Sequence, residues 1–137
     1  MDTSINNKLI EIKEIFSMFQ DPLDMMAQLI DIGKGAHILS DEEKVDANLI
    51  PGCTSKAWMV IIKTSSDNYK IKTDSDSHIV SGLLFLLSLS IENKSKNFID
   101  NINGIEILKE VGLNGHVTSQ RTNGFLSALE TLKKRTN

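Results

Sequence analysis

The chain has 137 residues, of which 40% are hydrophobic and 24% charged, with a formal net charge of −3. That length and balance suit one ordinary soluble domain, expected over residues 1–137, with a sizeable core. Scattered Lys and Arg on an acidic background exclude a general nucleic-acid binder, and a single cysteine excludes an internal disulfide framework or a multi-thiolate metal set from this chain alone.

A free thiol fits a reducing compartment. Met1-Asp2-Thr3-Ser4 carries acid early with no continuous apolar run behind it, so no signal peptide is expected. The longest apolar-rich stretch, Ile79 to Ile91, is too short to span a bilayer. A cytoplasmic location without membrane attachment is the expectation.

Ile5, Leu9, Ile12, Phe16 and Phe19 alternate at spacings of four and three, which is one face of a helix with Thr3 or Ser4 as its cap. Asp21-Pro22 restarts the chain as N-cap and first helical residue, with Asp24 in the first turn. Met25, Met26, Leu29, Ile30 and Ile32 supply the buried side, and Gly33 is expected to stop this helix. Gly35 to Asn48 reads as polar loop with one helical turn at Asp41-Glu42-Glu43. Those carboxylates imitate an acid/base pair, but nothing apolar nearby would raise a pKa, so a solvated turn is the better reading.

Pro51-Gly52 is a turn signal placed directly before Cys53. Ala57 to Ile62, an apolar and partly β-branched run holding the only tryptophan, reads as a buried strand. Cys53 therefore belongs on a tight loop held by a rigid element on one side only. An isolated cysteine is commonly an inert small hydrophobe; the loop setting favours a thiol that can be presented to a partner.

Ser65 to Asn68 is turn chemistry, and Tyr69, Ile71 and Thr73 alternate with polar neighbours as a half-exposed strand. The two strands should pair as an antiparallel hairpin, part of a small sheet with helices on one side. Asp74-Ser75-Asp76-Ser77 reads as the cap of a helix that is apolar nearly all round, hence central. Within it Gly82 should admit a close neighbour, expected to be the sheet. Ser95 opens a further segment broken at Gly104, and Ile105, Leu108 and Val111 continue helically to Gly112. Thr118 opens the last helix, through Arg135, where Lys133-Lys134-Arg135 complements the helix C-terminus.

His37, His78 and His116 lack ligand spacing, so no metal or cofactor is expected and each reads as a capping or surface residue. A Cys53 nucleophile paired with His78 or His116 is conceivable, since such pairs need only meet in space. Arg121 sits in the first turn of the last helix, where the macrodipole disfavours a cation. That placement favours a role facing an anion, against a plain surface arginine.

Three stretches together resemble the SufE/CsdE family of sulfur acceptors: Ile50-Pro51-Gly52-Cys53 with Ser55 and Trp58; Asp74-Ser75-Asp76 with Ile79-Val80 and Gly82-Leu83; and His116-Val117-Thr118 with Arg121 and Gly124. The resemblance covers nearly the whole chain. It departs from the family's usual residues at Thr54, Thr73 and Ser119-Gln120, positions that bear on partner fit and loop geometry. It implies an α+β fold, a small antiparallel sheet of two or three strands packed on one side by helices and shared with iron–sulfur scaffold proteins.

It also implies that Cys53 takes persulfide sulfur from a SufS- or CsdA-like, pyridoxal-phosphate-dependent cysteine desulfurase. The sulfur would pass to a downstream iron–sulfur scaffold or other acceptor, and the chain would stimulate the desulfurase rather than act as an independent enzyme. Arg121 and His116 are then expected to stabilise the thiolate or contact the partner. Cys53 is expected to rest sheltered against the apolar side of the sheet and the central helix, with Pro51-Gly52 as hinge. Two alternatives belong to other classes: a docking activator whose cysteine is incidental, and a cysteine hydrolase.

Overall fold

The computed structural model describes residues 7–65 and 67–136. The expected cap at Thr3 or Ser4, and Ile5, lie outside those residues. Helix α1 (Asn7–Ser17) buries Leu9, Ile12 and Phe16, the face its spacing predicts. Helix α2 (Pro22–Lys34) begins as the sequence requires, Asp21 accepting from the Leu23 N–H and Pro22 opening the helix. Gly33 does not stop it: the helix runs on to Lys34 and Gly35 forms the C-cap.

Strands β1 (Ala57–Lys63) and β2 (Asn68–Ser75) form the expected antiparallel hairpin, with Met59 opposite Thr73 and Ile61 opposite Ile71. A two-residue strand β3 (Lys94–Ser95) adds to the free edge of β2, giving the order β1-β2-β3. The inward residues of the pleat, Ala57 and Met59 from β1 with Ile71, Thr73 and Ser75 from β2, are buried.

Helix α3 (His78–Ile91) is the centre, packing on β2 and on α2. Leu83, Leu84, Leu86, Leu87 and Ile91 are each almost wholly removed from solvent, as a helix apolar on every face must be. Its N-cap is Ser77, whose side chain accepts from the Val80 N–H, and no acid lies in its first turn. Asp74 is therefore not a cap but the penultimate residue of β2. The close approach at Gly82 is made by α2 instead of the sheet: a Cβ there would lie 2.5 Å from the Leu29 carbonyl oxygen.

Ser95 caps α4 (Lys96–Asn101) through the Phe98 N–H. Asn103 caps α5 (Gly104–Glu110), so the break falls one residue before Gly104, which is the first residue of α5. Helix α6 (Ser119–Arg135) is capped by Thr118 and buries Phe125, Leu129 and Leu132. Lys96 closes its other end, donating to the Lys133 carbonyl at 2.6 Å and to Thr136 Oγ1 at 3.0 Å. No helix among the described residues is long and apolar enough to cross a membrane.

Candidate functional site

The loop from Leu49 to Lys56 leaves a 3-10 turn at Asp46–Asn48 and enters β1. It joins the sheet through Ile50 N–H to the Ala57 carbonyl, 2.8 Å, and a bridge between Leu49 and Trp58. Gly52 has φ +83°, the left-handed region that a Pro-Gly turn needs glycine to reach. This turn delivers Cys53 to the groove between α3 and α6. Its thiol lies 3.7 Å from the Gly124 carbonyl oxygen, and a Cβ at Gly124 would stand 3.4 Å from the sulfur. A Cβ at Gly124 would thus touch the thiol at ordinary van der Waals distance.

Cys53, Thr54, Val80, Leu83, Leu84, Gln120, Arg121, Gly124 and Phe125 line a narrow cleft of about 20 Å³, room for roughly one water molecule. The thiol is half-buried and burial pushes its pKa up from 9.0, so the resting cysteine is a protonated, slow nucleophile. Two expectations change here. The central helix α3 shelters the thiol as expected, but its partner is α6 and not the sheet; and the loop is held on both sides, by β1 and by α6.

Arg121 lines the same cleft, half-buried, its N–H taken by Thr118 Oγ1 at 3.3 Å. No ion pair engages its guanidinium among the described residues. Fold and sequence therefore bring Cys53 and Arg121 together. His116 is exposed in the turn before α6 and does not line the cleft. Val80 and Gln120 enter the sequence reading only through the family-like stretches, and neither they nor Phe125 are expected at the site; as ordinary helix residues they carry no local signal that a thiol faces them.

A second polar cluster is equally silent in the sequence. Asp74 is fully buried and its Oδ1 accepts from the Ser75 N–H at 2.8 Å and from His37 Nδ1. Oδ2 takes no hydrogen bond among the described residues, its charge met by Lys44 Nζ at 3.3 Å. His37 Nε2 in turn faces His78 Nδ1 at 3.0 Å. Lys44 also lies 5.8 Å over the Trp58 ring, and Lys72 pairs with Glu43 at 3.1 Å. The Ser40 backbone N–H and then Lys72 hold the Glu43 carboxyl below its usual range. The cluster fastens the loop before the cysteine segment onto the outer face of the sheet. Among the described residues no group of three or more His, Cys, Asp or Glu is placed to hold a metal ion.

The SufE family model, described as the Fe-S metabolism associated domain, matches residues 10–136. The chain belongs to the SufE family. Within it, an uncharacterized SufE-like protein of Rhizobium etli is 29% identical over 92% of this chain and 87% of its own length. The sulfur acceptor protein CsdE of Escherichia coli is 28% identical over 80% of this chain and 74% of its own. SufE-like protein 1 of Arabidopsis thaliana, chloroplastic/mitochondrial, is 29% identical over 93% of this chain but only 34% of its own length. The fold is similar to that of the solution structure of a hypothetical protein from Thermus thermophilus, with TM-score 0.69 at 16% identity, covering 97% of this chain and 96% of that one.

Proposed function

We propose that this SufE-family chain is a sulfur carrier, accepting persulfide sulfur on Cys53 from a pyridoxal-phosphate-dependent cysteine desulfurase of the SufS or CsdA kind. It would work in the cytoplasm, where a lone thiol stays reduced, and hand the sulfur to an iron–sulfur scaffold or other acceptor. The observation that carries this reading is the placement of the chain's one thiol, on a loop, in a cleft beside an unpaired arginine. The sulfur acceptor CsdE, among its relatives, supports it.

The chemistry is thiol exchange. The Cys53 thiolate attacks the outer sulfur of the desulfurase persulfide. A new S–S bond forms at Cys53, the old one breaks, and its electron pair leaves on the desulfurase cysteine as a thiolate. No external oxidant or reductant enters. The proton lost from Cys53 beforehand balances the thiolate released. Burial disfavours that first ionisation, so the loop must move outward for the thiol to react. Arg121 then stands where it can offset charge on the exposed sulfur; His116 is assigned to the partner surface, being exposed on the approach to α6.

Incubation with a desulfurase and cysteine is expected to add sulfur mass at Cys53, read by peptide mass spectrometry. Absence of added mass on the folded wild type rejects the carrier reading. Cys53→Ser should abolish stimulation of sulfide release; unchanged stimulation would instead identify a docking activator.

A further inference from the structure

Two backbone carbonyls and the thiol of the cysteine segment are held from one stripe of α6. Ser127 Oγ donates to the Pro51 carbonyl at 2.5 Å, Arg135 Nη2 donates to the Leu49 carbonyl at 2.7 Å, and the Gly124 carbonyl receives the Cys53 thiol. Residues 124, 127 and 135 fall on one face at 3.6 residues per turn. Gly52 is pressed onto the same stripe, since a Cβ there would come within 2.7 Å of Ser127 Oγ. Both side-chain donors come from residues with surface exposure, and both grip main-chain carbonyls of the loop. The two side-chain donors grip the carbonyls of Leu49 and Pro51, so they hold the thiol in its cleft without touching it.

From this geometry we infer that Ser127 and Arg135 are positioning residues, a two-point latch that keeps the Cys53 loop closed on α6 until a partner competes for the Leu49 and Pro51 carbonyls. The role in transfer rests on the carrier reading given above, but the latch itself is a property of the free protein. With the loop shut, the side of the half-buried thiol that faces α3 and α6 has room for about one water molecule, which slows attack by a persulfide borne on another protein. Opening requires both bonds to be surrendered. A partner that offers donors to those two carbonyls would open the loop while binding it, which couples access to recognition.

The test is the rate of Cys53 alkylation by iodoacetamide in free wild type, Ser127→Ala, Arg135→Gln and the double variant. Each single change is expected to speed alkylation about fivefold, the effect of losing one ordinary hydrogen bond, and the double variant about 25-fold if the two points act independently. The pH midpoint of alkylation should fall back towards 9.0 as the loop opens, which a merely structural residue would not cause. Arg135→Lys, which keeps a donor, should restore slow alkylation, and Lys134→Gln, one residue away and exposed, should change nothing. Unchanged alkylation in the double variant, with the thermal midpoint retained, overturns the latch; so does equal acceleration by Lys134→Gln. Faster alkylation without sulfur loading by a desulfurase would leave the latch standing and sink the carrier reading instead.

Discussion

Burial makes the Cys53 thiol harder to ionise than the same thiol in an unfolded chain, and this has a pH signature. Below 9.0 both states keep the proton; as pH climbs past 9.0 the unfolded chain releases it first, so stability falls with rising pH up to the raised folded value. Wild type should accordingly lose more thermal stability than Cys53→Ser as pH rises above 9.0, measured by scanning both across that range. Arg121 gives a second residue-scale prediction. Arg121 lines the thiol cleft and among the described residues its guanidinium has no ion pair, so Arg121→Ala should slow sulfur loading of Cys53 by roughly tenfold, the loss of one charge-assisted contact. The thermal midpoint should hardly move, and a large drop with loading intact would make Arg121 structural. The cysteine and this arginine are legible because glycine-turn chemistry and a cation misplaced at a helix start are local signals. Asp74 reads as a cap and is not one, since nothing in its neighbours says that His37 and Lys44 come to cover it.

The helix pair α2 and α3 shows how an element's partner escapes sequence reading. Gly33 and Gly82 each face the other helix's backbone: a Cβ at Gly33 would lie 1.7 Å from the His78 carbonyl oxygen and 3.0 Å from the Gly82 N–H nitrogen. Gly33→Ala should therefore force the helices apart and lower the stability by about 1–3 kcal/mol or more, seen as a lower urea midpoint; an unchanged midpoint would mean that the helices are not in contact there. A glycine in the sequence announces a close approach or a helix end with equal force, and only packing separates the two. The same holds for α6, whose apolar spacing predicts a buried face but not that its other stripe grips a loop. Ser127 and Arg135 look like ordinary helix-surface residues, and the C-terminal basic run reads as dipole complement, whereas Arg135 in fact reaches the Leu49 carbonyl.

At the scale of the whole molecule, the order of helices, the hairpin and the central apolar helix followed from the sequence alone. These features rest on interactions within a few residues: 3.6-fold or two-fold hydrophobic alternation, a proline at a helix start, glycine at a turn, a hydroxyl cap. Tertiary structure decided what each buried face meets. The polar contacts of the thiol loop and of the second cluster join residues far apart along the chain, 71 positions for Cys53 to Gly124, 76 for Pro51 to Ser127 and 37 for His37 to Asp74. Hydrophobic patterning specifies that a face is covered, because burial is non-directional; a polar contact needs a particular partner at a particular distance and angle. That is why the chain's own residues announced a thiol on a turn near the central helix, and only the packed molecule could say that α6, rather than the sheet, completes its shelter.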